Sequence, residues 1–323
     1  MWISKEERNM NVFFLLSISC QVIDKQHEIL ERKAKQLDMK EEIIHNSTGH
    51  VFGWIEQNDK NQQILVLIHG FGGDGLWTWG SNIDSFAKDY RIILPDLLWF
   101  GGSYSDIKPS LQNQADEIWN YIEAHKKSHE KVSIMGVSYG GFVALQLVQD
   151  HSSELQSVII VDSPGGNFDD QAISELNQRF HISDPADLFV PTQPEQIQRL
   201  LDLCMFKPIP PLPQRMLTQI YERDFSTFHE QRRNLLAELP KNRDQYLKYE
   251  GPTPPMLVVW GEQDEVFPVE FGQKLSSDFD AELFVIPNTR HAPNIEKPKV
   301  FEKKVLEFLQ SNNELHYKKQ STP

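Results

Sequence analysis

The chain of 323 residues is long enough for one large domain or two small ones, and its hydrophobic content of 39% can fill a sizeable core. The formal net charge of −14 argues against a nucleic acid or an anionic membrane as partner, because both attract a basic surface. The two cysteines, Cys20 and Cys204, can make at most one bridge, so a disulfide framework is excluded.

An apolar stretch near the N-terminus, residues 12–20, has two interpretations. It is too short to span a bilayer, and Glu6 and Glu7 weaken the basic head that a secretory signal needs. We expect a strand or helix here, with no membrane span and a cytoplasmic location. Export or membrane anchoring through this stretch is the alternative. Charged residues of helical propensity follow, so residues 1–41 are predicted to form an N-terminal extension.

From residue 42 onward, apolar runs that favour strands alternate with helical patterns. Two short strands are expected around Gly49, and further runs predict strands at 64–68, 92–94, 132–135, 158–161, 256–260 and 282–286. Such alternation is typical of βαβ crossovers and of a parallel sheet that is buried on both faces. The sequence therefore predicts an α/β core made of residues 42–163 and 256–312, with a flexible tail at 313–323.

The alternation is interrupted between residues 164 and 255. Helical patterns there are broken by four prolines: Pro208, Pro210, Pro211 and Pro213. We interpret this stretch as an insertion that forms a helical cap. Its apolar residues at helical spacing fit a small core as well as they fit the roof of a pocket.

One motif carries a clear chemical meaning. Gly136, Ser138 and Gly140 form a G-x-S-x-G pattern between a predicted strand and a predicted helix, which is the context of a nucleophile elbow. The turn forces the serine into a strained backbone conformation and leaves no room for side chains two residues away on either side. Ser138 is the predicted nucleophile, and a tight β–α turn with a capping serine is the alternative.

A serine nucleophile also needs donors for the oxyanion that its attack creates. We predict an oxyanion hole formed by the backbone N–H groups of Tyr139, directly after the serine, and of Phe71, in the glycine-rich loop after the strand 64–68. His69, in the same loop, is expected to order the loop by hydrogen bonding and not to act as the base.

The base and its acid are expected in the C-terminal part of the chain. His291 lies between the last predicted strand and the last helix, and Asp264 follows the preceding strand, so both would emerge beside the elbow. Asp162, after the strand 158–161, is a competing acid. Arg290 either lines the pocket or is held by a carboxylate outside it.

Taken together, these motifs resemble the α/β-hydrolase superfamily in its esterase and lipase-like branch, over residues 64–309. The resemblance rests on HGFGG, PDLLWFGGS, GVSYGGFVAL, VVWGEQDEVFP and NTRHAPNIEKP, in this order. It implies an eight-stranded, mostly parallel sheet flanked by helices, an inserted cap over the active site, a triad of Ser138, Asp264 and His291, and neither a cofactor nor a metal. Arg290 stands where the family commonly has glycine.

Serine at the elbow disfavours haloalkane dehalogenation and epoxide hydrolysis, because the relatives with those activities use aspartate there. The leading prediction is hydrolysis of small to medium, partly apolar esters through an acyl-enzyme on Ser138, with a small-molecule or lipid-like substrate as the partner. Hydrolysis of a carbon–carbon bond, as in ring-fission product hydrolases, is one alternative. A ligand-binding protein of low turnover is another. The oligomeric state is open.

Overall fold

The computed structural model describes residues 22–57, 63–128, 130–243 and 251–320, the last seven by backbone alone. The apolar stretch 12–20 therefore lies outside the described residues. Within these ranges, no helix combines the length and the apolar character needed to cross a membrane.

One sheet organises the described residues. Its path of eight strands runs in the order β1-β2-β4-β3-β6-β7-β8-β9, and β5 pairs with β2 beside this path. The strands are β1 (Met39–His45), β2 (Gly49–Glu56), β3 (Ile64–Ile68), β4 (Arg91–Pro95), β5 (Tyr104–Ser105), β6 (Val132–Val137), β7 (Leu155–Val161), β8 (Met256–Gly261) and β9 (Glu282–Ile286). Neighbours from β4 to β9 pair in parallel, and β2 pairs antiparallel with β1, β4 and β5. The two-residue β5 was not predicted.

Strand β3 shows why the sheet is buried on both faces. Val66 and Ile68 point into one apolar cluster, whereas Leu65 and Leu67 point into a second cluster on the other face. All five residues of β3 are buried, as are all six of β6 and of β8. Continuous apolar runs of this kind are expected in strands that helices cover on both sides.

The helices lie on the two faces of the sheet and in the insertion. They are α1 (Val22–Gln36), α2 (Gly75–Trp79), α3 (Ile83–Phe86), α4 (Leu111–Glu123), α5 (Tyr139–His151), α6 (Asp170–Phe180), α7 (Ala186–Phe189), α8 (Gln196–Cys204), α9 (Gln214–Ile220), α10 (His229–Glu238), α11 (Val269–Asp278), α12 (Pro293–Glu296) and α13 (Pro298–Gln320). Ile118 of α4, Phe142 of α5 and Leu275 of α11 pack into the first cluster. Trp79 of α2 and Phe301 of α13 pack into the second.

Helix α13 differs from the prediction. The sequence predicted a flexible tail from residue 313, but the helix continues to Gln320, so residues 313–320 of that tail are helical. No glycine or proline occurs between Pro298 and Pro323, and the segment therefore lacks the residues that commonly end a helix.

The inserted segment, residues 164–255, holds helices α6 to α10 and a π-helical turn at Tyr221–Phe225. Part of it forms a third apolar cluster, in which Ile197 of α8 packs with Leu217 and Ile220 of α9 and with Phe225. Ile23 of α1 joins this cluster, while the same helix buries Ala34 in the second cluster of the sheet. Helix α1 therefore bridges the sheet and the inserted segment.

Candidate active site

The turn between β6 and α5 has the geometry of a nucleophile elbow. Ser138 adopts φ 53° and ψ −118°, a conformation that is strained for a residue with a side chain. A Cβ atom on Gly136 would lie 2.1 Å from the Gly140 oxygen, and one on Gly140 would lie 2.4 Å from the His69 oxygen. The backbone leaves no room for either atom, so both glycines are required at this turn.

Three side chains meet at the carboxyl edge of the sheet. The Nε2 atom of His291 lies 2.9 Å from Ser138 Oγ, and its Nδ1 atom lies 2.7 Å from Asp264 Oδ2. His291 is 8% exposed and the Asp264 side chain is fully buried, whereas Ser138 is partly exposed. The structure therefore brings the predicted nucleophile, base and acid into one hydrogen-bonded line.

Backbone donors hold the carboxylate of Asp264 in place. Its Oδ1 accepts the N–H groups of Val266 at 2.8 Å and Phe267 at 3.1 Å, which leaves Oδ2 directed at the imidazole. The Phe267 ring packs edge-on against the His291 ring, with centroids 5.5 Å apart. The tight turn after β8 thus orients the Asp264 carboxylate and packs against one edge of the His291 ring.

Asp162, the competing acid, lies next to this pair. Its Oδ1 accepts the Gly261 N–H at 2.8 Å, and the imidazole hydrogen bond goes to Asp264 instead. Burial, together with the charge of Asp264, raises the pKa of Asp162.

Ligand atoms of Asp162, Asp264 and His291 lie within 4.8 Å of one another, but both ring nitrogens of His291 are hydrogen-bonded to side chains. A metal ion here would compete with those hydrogen bonds.

The glycine-rich loop after β3 packs directly on the elbow. A Cβ atom on Gly70 would lie 3.2 Å from Ser138 Cβ. Inside this loop, His69 Nδ1 donates to the Gly70 carbonyl at 2.7 Å and Nε2 accepts the Leu97 N–H at 2.9 Å. Burial lowers the pKa of His69 to about 4, so it is a neutral residue that orders the loop.

The two predicted oxyanion donors come from this loop and from α5. The rings of Phe71 and Tyr139 pack edge-on with centroids 5.6 Å apart, and Phe71 also contacts Phe100 at 4.9 Å. Tyr139 directly follows Ser138, and the Phe71 ring packs on the Tyr139 ring, so the two residues predicted to supply the donors are neighbours in the structure.

An ionic contact joins the far end of the loop to α1 and to the inserted segment. Asp74 caps α2 through the Trp77 N–H, and its Oδ2 lies 3.0 Å from His27 Nε2 and 3.7 Å from Arg223 Nη2. Neither His27 nor Arg223 was predicted to take part in the site. Both lie outside the recognisable motifs, so no local signal in the sequence identifies them.

The inserted segment covers the glycine-rich loop with apolar side chains. At Gly72, which has φ +88°, a Cβ atom would lie 2.8 Å from Phe225 Cζ and 3.8 Å from Leu200 Cδ2.

Cys204, at the end of α8, is close to Asp264. Burial, with the charges of Asp264 and Glu296, raises the pKa of its thiol to about 12, so it is protonated at neutral pH.

Arg290 is held by its neighbours and does not extend freely into the site. Its Nη2 donates to Glu265 Oε1 at 2.7 Å, and its Nη1 donates to the Asp202 carbonyl at 3.0 Å. Of the two interpretations of this residue, the structure favours an arginine held by a carboxylate.

Comparisons with known proteins agree with this architecture. A family model described as alpha/beta hydrolase fold matches residues 63–298. Monoacylglycerol lipase ABHD6 from Bos taurus is 22% identical over 262 residues, which cover 76% of this chain and 75% of the relative. The 2-hydroxy-6-oxo-6-(2'-aminophenyl)hexa-2,4-dienoic acid hydrolase from Metapseudomonas resinovorans is 26% identical over 290 residues, which cover 86% and 95%.

Among solved structures, a membrane phospholipase A superposes with a TM-score of 0.73 at 21% sequence identity. The superposition covers 90% of this chain and 92% of that one. A likeness at this identity concerns the fold.

Proposed function

Since the chain belongs to the α/β-hydrolase family and is a hydrolase of that fold, we propose that it hydrolyses carboxylic esters through an acyl-enzyme on Ser138. The predicted fold is confirmed by the family match and by the mostly parallel sheet. The observation that carries the functional proposal is the hydrogen-bonded line from Ser138 Oγ through His291 to Asp264 Oδ2, at 2.9 Å and 2.7 Å.

The geometry supports a two-step mechanism. His291 Nε2 takes the Ser138 hydroxyl proton as Oγ attacks the ester carbonyl carbon, and the N–H groups of Phe71 and Tyr139 donate to the oxyanion. His291 then gives the proton to the leaving alcohol oxygen as its bond to carbon breaks. A water molecule then attacks the acyl carbon while His291 Nε2 takes one of its protons. His291 returns this proton to Ser138 Oγ as the Oγ–carbon bond breaks, and the carboxylic acid leaves. Asp264 holds the imidazole tautomer and stabilises the imidazolium throughout.

The surroundings of the site support a partly apolar substrate of limited length. Phe225 and Leu200 lie against Gly72 of the loop that would bind the oxyanion, so apolar surface from the inserted segment lies close to the reacting carbonyl. Each methylene that the substrate buries there is worth about 0.8 kcal/mol. The names of the lipase relatives favour an ester of lipid-like character. We therefore place small to medium acyl esters first.

Hydrolysis of a carbon–carbon bond is the second candidate. It is favoured by the dienoic acid hydrolase, which is 26% identical and has 95% of its length matched by this chain. The same serine, base and oxyanion donors would serve, because this reaction also transfers an acyl group to water. The two candidates differ in the leaving group, which is carbon in one case and oxygen in the other.

The test begins with labelling by a fluorophosphonate, followed by mass spectrometry of the modified peptide. We expect modification of Ser138, retained in Ser163→Ala, which removes a buried hydroxyl close to Gly141. Unlabelled enzyme is then compared on p-nitrophenyl esters with two to sixteen acyl carbons and on a ring-fission dienoic acid. An optimum at short or medium esters supports the proposal. Faster cleavage of the dienoic acid would favour the second candidate, and label at another residue would refute the triad.

A further inference from the structure

One carboxylate ties the backbone beside His291 to the inserted segment. Glu296, the last residue of α12, accepts the Arg290 N–H with Oε1 and the Phe206 N–H with Oε2, each at 2.7 Å. Arg290 directly precedes His291, and Phe206 follows α8. A single side chain thus spans the loop that carries the base and the end of an inserted helix.

Arg290 makes a second connection between the same two parts. Its guanidinium donates to the Asp202 carbonyl in the last turn of α8 and to Glu265, the neighbour of Asp264. Its backbone oxygen also packs tightly on β8, since a Cβ atom on Gly261 would lie 2.0 Å from it. The residue therefore contacts the turn of the acid, the loop of the base and the inserted segment.

We propose that Glu296 and Arg290 are positioning residues that connect the His291 loop to the end of α8. The position of the inserted segment then determines how the His291 imidazole is oriented toward Ser138 Oγ. This inference rests on the proposed function, in which His291 is the base. The hydrogen bond that the Ser138 hydroxyl donates to His291 Nε2, at 2.9 Å, is directional, and a displacement of about 1 Å at such a site can cost about 100-fold in rate. The two residues act on catalysis through His291 and do not touch the substrate.

Kinetics of Glu296→Gln test this coupling. The amide oxygen can accept one of the two N–H groups, but the amide nitrogen would face the other donor, so one bond is lost. On p-nitrophenyl acetate, whose acyl chain is too short to use the apolar roof, we expect kcat to fall about tenfold with KM within about twofold. The same fall is expected on the hexanoate. Glu307→Gln, which removes an exposed partner of Lys303, is the matched control and should match the wild type.

Arg290 provides an independent pair of variants. Arg290→Met should lower kcat on both esters, and Arg290→Lys should recover part of the loss, because one ammonium group cannot hold Asp202 and Glu265 as the guanidinium does. Arg233→Met is the control, since Arg233 pairs with Asp184 and Asp187 wholly inside the inserted segment. If all Glu296 and Arg290 variants change only KM or acyl-length preference, with kcat on acetate unchanged, the coupling is refuted.

A readout without turnover separates this inference from the proposed function. The Nδ1 proton of His291, shared with Asp264, should give a low-field proton resonance in nuclear magnetic resonance. We expect this resonance to shift or broaden in Glu296→Gln and to stay in place in Glu307→Gln. An enzyme that neither reacts with a fluorophosphonate nor cleaves an ester would refute the proposed function. The resonance still decides the coupling, because an unchanged position in Glu296→Gln would overturn it.

Discussion

The elbow at Ser138 and the inserted segment are held in different ways. Ser138 is placed by the backbone itself, between the fully buried strand β6 and helix α5, with Gly136 and Gly140 pressed against main-chain oxygens. The inserted segment is held by side chains: Leu188 and Leu235 are buried in the first apolar cluster of the sheet, and Glu296 accepts the Phe206 N–H. The elbow therefore depends on backbone geometry, whereas the contacts of the inserted segment depend on which side chains are present.

The largest effect on turnover is expected at the elbow, which the backbone holds in place. Ser138→Ala removes one hydroxyl and leaves both elbow glycines in place, so turnover of an ester should fall by roughly 10⁶-fold. The melting temperature should stay close to that of the wild type. Initial rates and thermal unfolding measure the two quantities. Residual activity within tenfold of the wild type would exclude Ser138 as the nucleophile.

The next effect separates the two carboxylates at the carboxyl edge of the sheet. Asp264→Asn replaces the acceptor that fixes the imidazole tautomer, and turnover should fall by roughly 10⁴-fold. Asp162→Asn should cost far less, because the imidazole hydrogen bond goes to Asp264 and burial with that neighbouring charge raises the pKa of Asp162. Steady-state kinetics of both variants decide the matter. Equal losses, or a larger loss in Asp162→Asn, would give the acid role to Asp162.

The same contrast between backbone and side chains explains what the sequence could predict. The runs of β3, β6 and β8 and the glycine spacing around Ser138 are local patterns with a direct backbone meaning, and they led to the fold and to the residues that meet in the site. The choice between Asp264 and Asp162 needed only chain order as a guide, and the structure brings His291 onto Asp264.

The contacts of the inserted segment could not be predicted in this way. Phe225 on Gly72 and Glu296 on the Phe206 N–H join residues far apart in the chain, and nothing around either residue marks its partner. The contact between His27 and Asp74 could not be predicted for the same reason. Strand β5 is only two residues long, and its pairing with β2 has no periodicity to detect.

A smaller effect on kcat/KM is expected in the inserted segment, which side chains hold in place. Phe225→Ala removes apolar wall beside Gly72, so kcat/KM for a hexanoate ester should fall about three- to tenfold, while acetate changes little. Met216→Ala is a suitable control, because that side chain packs on the same apolar cluster but lies farther from Gly72 than Phe225 does. An equal loss on both esters would mean that Phe225 supports the oxyanion loop and not the acyl chain.

The smallest effect concerns the ionic contact between α1 and the glycine-rich loop. The hydrogen bond that His27 donates to the Asp74 carboxylate raises the pKa of His27, so protonated His27 stabilises the folded state. This stabilisation is complete below pH 6.5, the ordinary pKa, and is lost as pH rises through the raised value. His27→Gln should therefore lower the melting temperature by about 1–3 °C at pH 5.5 and by less at pH 8.5. His45→Gln is the control, and a difference that grows with pH would contradict this sign.

The position of the inserted segment also sets an order for assembly during synthesis. Strands β7 and β8 are neighbours in the sheet, yet residues 162–255 separate them along the chain. A ribosome therefore releases β1 to β7, with the elbow, well before β8 and β9 bring Asp264 and His291. The free-energy cost of closing such a loop rises by only about 0.6 kcal/mol for each doubling of its length, so the length of the insertion adds little to the cost of pairing β7 with β8. What it adds is the time that the ribosome needs to synthesise residues 162–255. At typical rates of synthesis the nascent chain therefore carries Ser138 for several seconds before Asp264 and His291 are made.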